Sequence, residues 1–204
     1  MKRDAIRTAI RCYLYEDSAD LFSEVKINQA ITDTLRELPR KNIYLEQIHT
    51  TTRVKDQIDY TLPAGTLKVE KVEINLGTST KEDWDEVKGW DLYGDALYLR
   101  SRPSDTYTMR IHIRTKFTNL TDDTTDTDVP NEKLELVYAG ASYRCYKMLM
   151  GYFVDAKNWD SIAKPDGVSM NMVMNWLKMA KKDYEELIQT FKTYPRPREI
   201  NLVD

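Results

Sequence analysis

Residues 106–117 read TYTMRIHIRTKF, and the spacing of that stretch decides the fold. Tyr107, Met109, Ile111, Ile113, Thr115 and Phe117 alternate with Thr106, Thr108, Arg110, His112, Arg114 and Lys116. Successive side chains on a strand point to opposite faces, so this alternation predicts a strand with one buried and one wet face. The segments upstream carry the same period. Val72, Ile74 and Leu76 alternate with Glu73 and Asn75, and a slip at Glu70-Lys71 reads as a bulge. Ile43 to Val54 and Ile58 to Leu62 read as further strands, with Pro63-Ala64-Gly65 as punctuation. Trp90 to Tyr93 and Ala96 to Arg100 flank Gly94-Asp95, the pattern of a tight hairpin. The acidic run KEDWDEV, residues 81–87, reads as an exposed loop. The expectation is about five or six antiparallel strands between residues 43 and 118.

On either side the period changes to that of a helix. Ala5, Ile6, Ala9, Ile10, Tyr13 and Leu14 form one stripe, and Ile27, Ala30, Ile31, Thr34, Leu35 and Leu38 form another over Ser23 to Leu38, where Pro39 limits continuation. A short polar link around Glu16 to Asp20 makes these a helical hairpin. Downstream, Asn119 to Asp128 is a polar link, and Pro130 is placed as a first helical residue behind a cap at Asp128. Leu134, Val137, Tyr138, Ala141, Cys145, Met148 and Leu149 mark a third helix to about Phe153, followed by a turn at Lys164-Pro165-Asp166-Gly167. The last helix spans about Ser169 to Tyr194, with Val173, Leu177, Ala180, Tyr184, Leu187 and Phe191 close to a heptad seam that packs within the subunit or against a neighbour.

The fold class is therefore α+β: about four helices, two N-terminal and two C-terminal, around an inserted antiparallel β module. Residues 1–42 and 129–194 form one helical domain, 43–118 the β module, 119–128 an acidic linker and 195–204 an extended tail.

Composition narrows the function. The chain has 204 residues, 41% apolar and 31% charged, and a chain of that size buries roughly 70% of its unfolded surface without a disulfide or metal. No apolar run approaches the ~20 residues of a membrane span, and MKRDAIRTAIRCYLYED has no signal-peptide core, so the expectation is a chain made and kept in the cytosol. Cys12 and Cys145 are expected to be reduced and buried. A net charge of −3 argues against a dedicated nucleic-acid binder, yet suits a surface that DNA slides past.

The chain shows no GxxxxGK[ST], GxGxxG, GxSxG, HExxH or CxxC, which leaves an enzyme as the least favoured reading. His49 and His112 lie far apart on strand segments and read as surface or satisfied histidines. DDTTDTD, residues 122–128, lacks the glycine and the offsets of an EF-hand loop and reads as a solvated loop, so no metal and no cofactor are expected. Trp84, Trp90, Trp159 and Trp176, with 13 tyrosines, suit core and protein interface better than base or sugar stacking, since no Lys/Arg stripe interleaves them.

Taken in order, the layout resembles the head-to-tail connector (adaptor) proteins of tailed bacteriophages. The likeness is carried by Tyr60-Thr61-Leu62-Pro63-Ala64-Gly65 with Val69 and Val72, by Val129-Pro130 ahead of a helix rich in Ala, Leu and Tyr, and by the final helix with Trp176 and Tyr184. The resemblance implies a virion neck protein assembled in the host cytoplasm. It implies a homo-oligomeric ring, usually twelve copies, beneath the portal protein. That ring extends the DNA channel, lets packaged DNA pass without sequence-specific binding, and gives a downstream tail or nozzle protein its platform. The large β insertion departs from smaller members of the family. A stopper or tail-completion protein is the near alternative. A carbohydrate- or receptor-binding module using the aromatic β region is the distant one.

The chain ends TYPRPREINLVD, residues 193–204. Pro195 and Pro197 forbid a continued helix and lower the entropy lost when a segment docks. Tyr194, Pro195, Arg196, Pro197, Arg198, Ile200, Leu202 and Val203 are therefore the expected contact with the portal or a neighbouring subunit. Trp176, Tyr184 and Phe191 are the expected subunit-interface residues.

Overall fold

The computed structural model describes residues 1–14, 21–77, 81–124, 126–155 and 169–192. The link from Glu16 to Asp20, the turn at 164–167, Trp159 and the tail at 195–204 lie outside them. The chain divides into two units, Met1–Ile43 with Phe117–Asp204, and Tyr44–Lys116.

The first unit is helical. It contains α1 (Arg3–Tyr13), α2 (Glu24–Glu37), α3 (Leu134–Asp155) and α4 (Met170–Phe191). Ile6, Ile10 and Leu14 of the first segment, Ile27, Ile31 and Leu35 of α2, and Leu136, Val137, Ala141 and Cys145 of α3 are all buried. α3 packs against each of the other three, which is why its apolar residues run round the whole helix rather than along one stripe. Gly140 is the point of closest approach: a Cβ there would meet Thr34 Cγ2 at 2.5 Å and Tyr184 Cε2 at 2.8 Å. Pro39 ends α2 in a 3-10 turn, Leu38–Lys41, closed by Asn42 at φ 61°, a left-handed position that Asn tolerates.

Two local expectations differ. Pro130 does not start α3; it precedes a 3-10 turn, Asn131–Lys133, and α3 begins at Leu134. Asp128 caps nothing, because its Oδ2 already accepts from Thr118 N at 2.9 Å and Thr118 Oγ1 at 2.7 Å. Cys145 is buried as expected, but Cys12 is exposed. It lies two positions past Ile10, about 200° round the helix from that buried side chain.

The second unit is a β module whose described residues form seven strands: β1 (Leu45–Arg53), β2 (Asp59–Thr61), β3 (Thr66–Asn75), β4 (Trp84–Glu86), β5 (Trp90–Tyr93), β6 (Ala96–Leu99) and β7 (Tyr107–Thr115). They form a four-stranded sheet, β1-β7-β3-β4, and a three-stranded sheet, β2-β6-β5, antiparallel throughout. The alternating stretch is central: β7 pairs with both β1 and β3. Met109, Ile111 and Ile113 pack with Val69, Val72, Ile74, Leu97 and Leu99. The register of β3 shifts between Val69 and Lys71, the expected bulge. Gly94 closes the β5–β6 turn at φ 58°, where a Cβ would be strained.

The acidic run at 81–87 is not simply a loop. Trp84–Glu86 forms β4 on the edge of β3, with Asn75 opposite Trp84, and the Arg110 guanidinium lies 3.7 Å over the Trp84 ring. The module begins and ends side by side, because Leu45 pairs with Thr115.

Candidate functional site

The polar faces of the two units are tied internally. In the β module, Lys71 Nζ lies 2.5 Å from Glu73 Oε1, and His112 Nε2 lies 2.6 Å from Glu73 Oε2. Those bonds, Lys71 first and His112 next, hold the Glu73 carboxyl below its ordinary range. His112 is thus a satisfied histidine on the strand's polar side. Arg114, only 5% exposed, lies between Glu70 at 3.3 Å and Glu46 at 3.5 Å, with Tyr44's ring centroid 5.6 Å from its guanidinium.

Residues 122–124 and 126–128 serve as a clasp of the helical unit. Asp123 takes Arg3 Nε at 2.9 Å and Arg7 Nη1 at 3.0 Å, and these guanidiniums, Arg7 above Arg3, hold its carboxyl below the usual range. Asp122 accepts from Thr124 N at 2.8 Å, and Thr127 N donates to Met1 O at 2.9 Å. Phe117, Leu120 and Val129 are buried around it. Among the described residues no group of three or more His, Cys, Asp or Glu is placed to hold a metal ion.

Elsewhere in the helical unit, α2, α3 and α4 share a polar network. Arg144 Nε donates to Thr34 Oγ1 at 3.1 Å and its Nη2 pairs with Glu37, while Thr34 Oγ1 donates to Ala30 O at 2.7 Å. Tyr184 stacks on Tyr143 at 6.1 Å with an interplanar angle of 23°. Burial, then Glu37's charge, pushes the Tyr184 phenol well above its ordinary range. Nothing in the sequence marked Arg144, since a charged residue inside an apolar helical pattern reads as a surface position.

One surface groove of the helical unit, about 380 Å³, is lined by Cys12 and Tyr13 of α1, Ser142 and Tyr146 of α3, and Trp176 and Met179 of α4, among others. Its apolar wall continues outward in Met179, 61% exposed, and Tyr13, 40% exposed. Acid sits at its margin: Asp183 lines it, and Tyr13 Oη donates to Glu135 Oε1 at 3.1 Å. Burial, then that bond to Glu135, pushes the Tyr13 phenol up to about 12.

Of the expected interface residues, Trp176 and Phe191 are half-buried, and Trp176 meets Tyr146 at 5.7 Å. Tyr184, 3% exposed, is spent inside its own chain. The expected contact residues Tyr194 to Val203 lie outside the described residues. Chemically, the groove offers an apolar floor, an acidic margin and polar atoms for binding.

The chain matches the model of the SU10 adaptor protein family over residues 1–198. No curated protein matches it. Among solved structures it is similar to a chain of the neck of an empty GTA particle computed with C6 symmetry, at 14% identity over 85% of this chain and 87% of that one, with a TM-score of 0.31.

Proposed function

The chain belongs to the SU10 adaptor protein family, whose model spans both of its units, and on that premise we propose that its copies close into a ring beneath the portal protein. It is a structural phage neck protein of the virion rather than an enzyme. The proposed ring has twelve copies, continues the DNA channel below the portal, gives a tail or nozzle protein its platform, and assembles in the host cytoplasm. The match over residues 1–198 carries this reading, because it covers the helices, the inserted sheets and the start of the tail together.

The surface chemistry supports it. A ring of like subunits needs each copy to present two different, complementary patches. The helical unit presents an apolar groove with an acidic margin, and the tail presents Arg196, Arg198, Ile200, Leu202 and Val203. A net charge of −3 limits phosphate contacts, so DNA passes without the salt-sensitive adhesion that a basic lumen would bring. The aromatic side chains of the β module lend less to glycan binding. Trp84 is covered by Arg110, Trp90 is half-buried against the core, and Tyr93 meets Tyr98 edge to face at 83°.

The test is co-sedimentation with portal-bearing capsids. The full chain should pellet with them, while a chain lacking residues 195–204 should stay folded and remain in the supernatant. A truncated chain that pelleted as well as the full one would refute the tail's docking role.

A further inference from the structure

We infer that the groove between α1, α3 and α4 is the seat for residues 195–204 of a neighbouring copy, so that each subunit is latched by the next; this rests on the ring reading above. Met172, Trp176, Met179 and Asp183 follow one another at spacings of 4, 3 and 4 along one flank of α4, beside the inward stripe of Val173, Tyr184 and Ile188. That flank is built as a contact seam, yet Met172 and Met179 remain 42% and 61% exposed. A groove of this kind gains by being covered.

One further observation specifies what covers it, and it is charge. Asp183 and Glu135 stand at the margin, and among the described residues no cation pairs with either.

The tail has the matching chemistry. In an extended segment alternate side chains share a face, which puts Arg196, Arg198, Ile200 and Leu202 on one side. Two cations followed by two branched apolar groups answer an acidic margin beside an apolar floor.

Reach and direction favour a neighbour over the same chain. Residues 193–204 span at most ~40 Å when fully extended. Returning to its own groove would require the chain to reverse just past α4 and run back at least ~14 Å along the helix to Asp183. Pro195 and Pro197 oppose that reversal, since each fixes its own φ and holds the residue before it extended. A tail reaching forward from every copy to the next makes a heterologous contact that closes with the ring.

Cys12 lies in the groove and is exposed, whereas Cys145 is buried, so the native thiol is a built-in probe. The full-length Ile200→Cys, Leu202→Cys and Val203→Cys chains are assembled on portal-bearing capsids, imaged for a ring, mildly oxidised and run on a non-reducing gel. The expected result is a ladder of cross-linked copies from at least one variant, lost on adding Cys12→Ser. Asp183→Arg should also abolish the ladder, and Arg198→Asp in the same chain should restore it. Rings without any ladder, a bridge closed within one chain, or a bridge to the portal would each overturn the seat while leaving the ring reading intact. No ring at the vertex would overturn both.

Discussion

Gly140→Ala is the substitution on which the packing of the helical unit bears most sharply. An alanine Cβ there would stand 2.5 Å from Thr34 Cγ2 and 2.8 Å from Tyr184 Cε2, against the ~3.5–4.0 Å of an ordinary carbon contact. Neither neighbour can yield easily. Thr34 is fully buried, and its Oγ1 is engaged by Ala30 O and by Arg144. Tyr184 is held against Tyr143. Overpacking of this kind costs about 1–3 kcal/mol, while replacing glycine inside a helix returns about 0.5–1 kcal/mol, so the net loss is about 0.5–2 kcal/mol. For a chain of this size that is a fall in Tm of about 1–8 °C. Gly151, also in α3, has open space where a Cβ would stand, with nothing within 4 Å, so Gly151→Ala should raise stability by about 0.5–1 kcal/mol. Thermal and denaturant unfolding followed by far-UV circular dichroism measures both. A Gly140→Ala chain as stable as the parent, or a Gly151→Ala chain that lost as much, would refute glycine-limited contact of α3 with α2 and α4.

Three other outcomes are expected. Glu73→Gln should destabilise the protein at neutral pH, and the deficit should shrink on acidification. A carboxyl held below its ordinary value contributes stability above its unfolded pKa of about 4.3 and loses it as the pH falls through the folded value. Denaturant midpoints at about pH 7 and about pH 3 check this, and an unchanged deficit would contradict it. Arg144→Met should cost about 1–2 kcal/mol, below the ~3–5 of a fully buried pair because both side chains keep roughly a quarter of their surface exposed, and adding Glu37→Gln should recover part of it in a double-mutant cycle. Replacing residues 45–115 with a short Gly-Ser linker should leave a folded, wholly helical protein. The module's two ends are paired partners about 5 Å apart, so the cut closes without strain, and loss of a cooperative helical transition would contradict the division into units.

How much the sequence reveals depends on how many residues share a constraint. β7 is legible because nine consecutive residues obey one period, and the Gly94 hairpin because glycine at positive φ has few other uses there. β4 is not: three residues set no period, and Trp84–Glu86 becomes a strand because β3 leaves it an edge and Arg110 covers the indole. The stripe of α1 predicts a helix correctly but overstates its buried width, since Ile6, Ile10 and Leu14 face the core while Tyr13 and Cys12 turn outward into the groove. The acidic run at 122–128 reads as a linker because its partners, Arg3 and Arg7, lie more than a hundred residues away in the chain. The groove itself could not be read at all. It needs three helices side by side, and α1 and α4 stand at opposite ends of the sequence.

The ring is put to the proof by imaging the vertex of portal-bearing capsids that lack their own neck protein, after adding the purified full-length chain. A closed ring of copies coaxial with the portal, with an open channel through its middle, is the expected result. A bare vertex at saturating protein, or copies bound singly and without rotational order, would contradict it.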